Sequence, residues 1–306
     1  RSLSMIQRRW LVRLAVAAVF AAVLFSVACC GCFTPGATPI PPVKYAWVRG
    51  PQGQLRAEEG GRGGLPVIFV HGLAGNRHAW DNQFEHAQLT RRVVILDLRG
   101  HGESEPAGDG DYSIQAYASD VLAVADALNL QRFVLVGHSL GGAVAGAVAG
   151  EAPDRVAGLL LASALGDLKR MPADQRDLWV AGFSPDRYGG FVEAWFSEML
   201  MAAHPATREQ VLAVLHKTPR EVVAASVRGM VEYDPLPALA AYRGPMLAVV
   251  TPFNNRPYSL QNVVPNLPAR EVRDASHWVQ MDRPTEFNRI MDEFLLTVER
   301  GVRSEE

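Results

Sequence analysis

A serine set among glycines, Gly137-His138-Ser139-Leu140-Gly141-Gly142, directly follows the apolar run Phe133-Val134-Leu135-Val136 and opens a small-residue stretch, Ala143 to Ala149. A buried strand that turns sharply into a helix at a serine holds that residue in a strained conformation. It also leaves the hydroxyl at the strand's C-terminal edge, beside a helix N-terminus that favours developing negative charge. Such a hydroxyl can attack a carbonyl, but near neutral pH it needs a base in contact. Of the eight histidines, His277 is the candidate base. It lies in Asp274-Ala275-Ser276-His277, between a short strand signal, Arg270-Glu271-Val272, and an amphipathic run from Phe287 to Val298. His138 sits inside the serine turn, and His71 and His101 in glycine turns, where packing or turn bonding is the plainer role.

These groups need a scaffold, and the alternation of patterns from Val43 onward describes one. Val67-Ile68-Phe69-Val70, Val93-Val94-Ile95-Leu96, Phe133 to Val136, Leu159-Leu160-Leu161 and Met246 to Val250 are short, continuous apolar runs. Strands buried on both faces of a parallel sheet read this way. Between them Ile114 to Leu128 has helical spacing, with Ser113 as N-cap. The expected fold class is α/β, a doubly wound, mostly parallel sheet with an inserted helical cap. Residues 43–166 and 233–306 form the core of that fold. The cap is 167–232, where strand signals stop for about 65 residues, too long for a bare loop. It carries Trp179, Phe183, Trp195 and Phe196, candidates for an apolar substrate pocket, among other aromatic and methionine residues that bury the cap against the core. Asp234-Pro235 reads as an N-cap and first helical position that restart the main domain.

Four motifs in this order resemble the α/β-hydrolase superfamily, over nearly everything from residue 43 to the end. They are His71-Gly72-Leu73-Ala74-Gly75, Asp97-Leu98-Arg99-Gly100-His101-Gly102-Glu103-Ser104, Val136 to Gly142 with its serine, and Ala275-Ser276-His277-Trp278. The resemblance implies the chain order nucleophile then base, and an oxyanion hole made by the backbone N–H groups of Leu73 and Leu140. A serine at position 139 argues against dehalogenase or epoxide-hydrolase chemistry, which needs a carboxylate there.

The third member of the expected triad departs from the family's pattern. The usual acid follows the strand that here is Met246 to Val250, in a P-x-L-x-x-x-G-x-x-D arrangement. This chain reads Pro245-Met246-Leu247-Ala248-Val249-Val250-Thr251-Pro252-Phe253-Asn254. Asn254 is the positional match; Asp167, after the preceding strand, and Asp234 are the alternatives.

The implied reaction is two-step acyl transfer on a small ester or related substrate, as in a carboxylesterase. C–C bond cleavage or lyase chemistry on the same Ser/His pair stays open, as does a non-catalytic ligand-binding protein with a weakened triad. With 30 basic and 32 acidic residues and a net charge of −2, the chain has no global field to hold a nucleic acid. No cofactor is expected: Gly60-Gly61-Arg62-Gly63-Gly64 lacks the G-K-[ST] ending of a phosphate loop, and no residues stand at metal-ligand spacing. At the N-terminus Arg8, Arg9 and Arg13 flank an apolar run, Leu14 to Cys30, and all three cysteines lie at 29, 30 and 32. Residues 1–33 therefore read as a signal peptide or a lipoprotein-type membrane anchor, followed by a proline-rich tether at 34–42. That reading implies an exported, periplasmic or cell-surface protein. Oligomeric state is not legible.

Overall fold

All five apolar runs become strands inside the sheet, and four of them are buried along their whole length. The structure, a computed structural model, describes residues 41–305; the signal or anchor segment and most of the tether lie outside them. Strands β3 (Val67–Val70), β4 (Val93–Leu96), β5 (Phe133–His138) and β6 (Val156–Ala162) are buried at every position. Successive residues point to opposite faces, so Ile68, Val70, Val94, Leu96 and Leu135 feed one hydrophobic cluster. Val67, Phe69, Val93, Ile95 and Val134 feed the other.

Outside this block stand β1 (Lys44–Arg49) and β2 (Gln54–Gly60) on one side, and β7 (Met246–Val250) and β8 (Ala269–Glu271) on the other. The eight strands run in the order β1-β2-β4-β3-β5-β6-β7-β8. β2 is antiparallel to both neighbours, and the pairs from β4 to β8 are parallel. The β1–β2 hairpin is the element sequence reading missed. KYAWVR is largely solvent-exposed and QLRAEEG mixes charge with apolar positions, so neither presents a clean strand period.

Helices cover both faces. The first cluster packs under α2 (Ile114–Ala127) and α3 (Leu140–Glu151), through Tyr117, Val121, Val144 and Val148. The second packs under α1 (Asp81–Ala87) and the long C-terminal helix, through Phe84, Phe287, Met291 and Phe294. The Ser113 hydroxyl accepts the Ala116 N–H at 3.2 Å, capping α2.

Residues 167–232 hold a 3-10 turn, Leu168–Arg170, and four helices. These are α4 (Ala173–Ala181), α5 (Tyr188–Met199), α6 (Pro205–Leu215) and α7 (Arg220–Glu232). The Asp234 carboxylate then caps α8 (Pro235–Ala241) by accepting the Leu236 N–H at 3.0 Å. Two short helices, α9 (Leu260–Val263) and α10 (Val279–Asp282), and the long α11 (Pro284–Glu305) complete the chain. Among the described residues no helix is long and apolar enough to cross a membrane.

Phe287, fully buried against Trp80 with ring centroids 5.9 Å apart, anchors α11 directly after the loop that carries His277. Phe287→Ala should cost about 3–5 kcal/mol, read as a lowered urea midpoint with unchanged m-value.

Candidate active site

Ser139 occupies the single residue between β5 and α3, at φ 53° and ψ −117°. A side chain with a Cβ is strained there, and the surrounding backbone enforces the conformation. The Ser139 N–H donates to the Ala162 carbonyl at the end of β6 at 3.0 Å, and the Ser139 carbonyl accepts from Leu165 N–H at 3.0 Å. A side chain at Gly141 would run into the carbonyls of Val70 and His71, and one at Gly137 into the backbone of Gly141. The start of α3 thus lies flush on the end of β3, a fit only glycine allows. Leu140 begins α3, so its N–H has no intrahelical acceptor.

The loop after β3 faces this turn and is held by its own histidine. His71 Nδ1–H donates to the Gly72 carbonyl at 2.8 Å, and Nε2 accepts the Leu98 N–H at 3.0 Å. Both bonds require the neutral ring, and burial lowers its pKa to about 4. The far end of the loop is pinned by Arg77. Its N–H donates to Asp97 Oδ1 at 2.7 Å, and its guanidinium pairs with Asp97, with Glu58 of β2 at 2.6 Å and with Glu103 at 2.8 Å. Burial opposes the charge, but the bond to Glu103 and the fields of Asp97 and Glu58 hold Arg77 protonated far above its usual range. Between these anchors Leu73 lines the same cavity as Ser139.

His277 lines that cavity too, one ring away from the serine turn: the rings of His138 and His277 lie 4.8 Å apart. His138 Nε2–H donates to the His277 carbonyl at 2.9 Å and so helps fix the backbone of the histidine loop, and burial lowers its own pKa to about 4. Phe253 and Trp278 pack edge-on to the His277 ring, each at 5.2 Å. Burial, then the neighbouring His138, push the His277 pKa well below the ordinary histidine value. No hydrogen bond joins Ser139 to His277 here; in unliganded sites such bonds often tighten only when substrate binds.

Among the described residues nothing hydrogen-bonds His277 Nδ1. Asn254 lines the cavity, but its Oδ1 accepts from Thr251 N–H at 3.1 Å and Thr251 Oγ1 at 3.2 Å, closing a capping box over residues 252–254. Asp167 accepts from Lys169 N–H at 3.1 Å and pairs with Arg170 at 3.0 Å. Asp234 caps α8. None of the three candidates for third member hydrogen-bonds the His277 Nδ1.

The cavity holds about 260 Å³. Trp179, Trp195 and Phe196 line it, with Met199 and Met230. Phe183 does not. It is buried among Trp179, Tyr188, Phe191 and Trp195 as part of the cap's own packing. Three polar contributors escaped sequence reading. Ser163, directly after β6 and at φ 43°, places a buried, unpartnered hydroxyl on the cavity wall. Arg256 and Glu198 join core to cap at its rim, 3.4 Å apart. No residue pattern around these three distinguishes them from ordinary loop and helix positions. Among the described residues no cluster of side chains could hold a metal ion.

The model of the α/β-hydrolase fold family matches residues 66–230. The chain belongs to that family. It is 46% identical over 114 residues to the dihydrolipoyllysine-residue acetyltransferase component of the acetoin cleaving system of Pseudomonas putida, a match covering 36% of this chain and 29% of that protein. It is 26% identical over 262 residues to the 2-hydroxymuconate semialdehyde hydrolase of Pseudomonas putida, covering 76% of this chain and 87% of that one. Among solved structures it is similar to a thermophilic esterase from Thermogutta terrifontis, at 28% identity and a TM-score of 0.70, covering 83% of this chain and 99% of that one. The chain spans about a third of the length of the first curated relatives it matches.

The buried histidines around the site have a measurable consequence. His71, His138 and His101, the last with its pKa lowered to about 3 by burial and by His71, are neutral in the fold. In the unfolded chain they titrate near 6.5. Below about pH 6.5 the unfolded state therefore binds more protons, so stability falls with falling pH down to about pH 4 and is unaffected by these groups above 6.5. A urea midpoint measured from pH 7 to pH 4 should drop steadily. A flat profile would contradict neutral burial.

Proposed function

We propose that this protein is a serine hydrolase that cleaves small, largely apolar esters through an acyl-enzyme. The observation that carries the reading is Ser139 at φ 53° on a strand-to-helix turn, in one cavity with His277 and Leu73. In the first step Ser139 Oγ attacks the substrate carbonyl while His277 Nε2 takes its proton. The tetrahedral oxyanion is received by the N–H groups of Leu73 and Leu140, and His277 returns the proton to the departing alcohol. Water, deprotonated by His277, then releases the acid. Trp179, Trp195 and Phe196 suit an acyl chain or aromatic group, and the Ser163 hydroxyl offers a buried, unsatisfied polar contact on the cavity wall.

A second reading, hydrolysis of a C–C bond by the same pair, draws on the likeness to 2-hydroxymuconate semialdehyde hydrolase. The export expectation for residues 1–33 is likewise a proposal, and the intact mass of membrane-extracted protein tests it.

Turnover of short-chain p-nitrophenyl esters should be lost by about a thousand-fold or more in Ser139→Ala, and a fluorophosphonate should label Ser139, as mapped by mass spectrometry. No turnover and no labelling in the wild type would sink the reading in favour of a binding protein.

The lowered His277 pKa also sets a pH profile. The base acts when neutral, so kcat/KM should stay level as pH falls through 6.5 and decline only below it. Asn254→Asp can keep the Thr251 bonds with one oxygen and bring a negative charge to the cavity wall. Such a charge favours the imidazolium and should move the acid limb to higher pH.

A further inference from the structure

Without a carboxylate on Nδ1, His277 must be held by something else, and the bonds around its peptide show what. The His277 N–H donates to the carbonyl of Met199, the last residue of α5, at 3.2 Å. The preceding residue, Ser276, donates both its N–H, at 2.9 Å, and its hydroxyl to Asp282 Oδ2. The other oxygen of that carboxylate, Oδ1, accepts the N–H of His204 at 2.9 Å. His204 is the N-cap of α6, so the corner between α5 and α6 meets the histidine loop twice: directly at Met199 and through Asp282.

We infer that the α5–α6 corner of the cap positions the base, with Asp282 as the positioning residue that straps cap to histidine loop. This rests on the acyl-transfer reading above and adds a structural part to it: the cap orients the base as well as covering substrate. In the usual triad a carboxylate on Nδ1 orients the imidazole. Here the ring's aim depends on its backbone, which is fixed by Met199 from the cap, by His138 from the core and by Asp282 from both. Base misplacement by a fraction of an ångström lowers the rate of proton transfer while leaving the apolar cavity intact, so kcat falls and KM does not.

His204 has φ −58°, which proline adopts without strain. His204→Pro therefore deletes the N–H that reaches Asp282. His204→Ala removes the same side-chain cap on α6, the imidazole Nδ1 that accepts Ala206 N–H at 3.3 Å, and keeps the strap. Comparing the two isolates the strap. His204→Pro is expected to lower kcat on p-nitrophenyl esters by on the order of ten-fold relative to His204→Ala, with KM within about two-fold. The rate of fluorophosphonate labelling of Ser139, which needs the base and little of the cavity, should fall by the same factor. Asp282→Asn, which can accept on only one side, should reproduce the loss. Equal kcat and labelling rates in the proline and alanine variants, or a change confined to KM and thermal midpoint, would overturn the inference while leaving the hydrolase reading standing. A wild type that neither turns over esters nor labels would sink both.

Discussion

One unfavourable backbone conformation organises this molecule. Ser139 can stand at positive φ only because the chain on either side is held more firmly than the strain can undo. β5 is paired to β3 and β6 before it, and α3 is pressed onto the end of β3 after it. The close approach at Gly141 sets the depth of α3 on the sheet. A core of short, doubly buried strands supplies the rigidity; the site spends a little of it.

Around that bend the polar groups divide into two kinds. His71 and Arg77 are satisfied on nearly every side and, with the Nε2–H of His138, serve as struts for the loops that carry Leu73 and His277. His277 Nδ1, His138 Nδ1 and Ser163 Oγ are left without partners among the residues that line the cavity. The contrast is informative because buried polar groups are normally paired, and exceptions gather where a ligand or a reaction completes the set. His277 is consequently a poorly basic, strongly desolvated imidazole whose peptide is bonded to Met199 and His138.

Much of this was legible in the residues. Three of the four motifs join the end of an apolar run to glycines, so strand position and loop chemistry could be read together, and Ser113 and Asp234 announced helix starts that the structure contains. The third triad position was harder. Asn254 falls in the expected loop, but Thr251-Pro252-Phe253-Asn254 has the spacing of a capping box, a local use that competes for the same side chain. Trp179 and Phe183 share helical spacing; which of them meets the cavity depends on how α4 and α5 pack, a tertiary matter that periodicity does not contain. Asp282 and His204 lie far apart in sequence and pair through a backbone N–H, which leaves no trace in residue type.

The antiparallel hairpin β1–β2 lies upstream of the stretch matched by the family model, yet Glu58 of β2 supplies one of the three carboxylates around Arg77, the residue that ends the Leu73 loop. The working unit of this fold therefore begins well before its first fully buried strand. A chain trimmed at Val67 would lose a counter-charge to the arginine that ends the Leu73 loop, so the stretch matched by the family model and the boundary of the structural unit do not coincide.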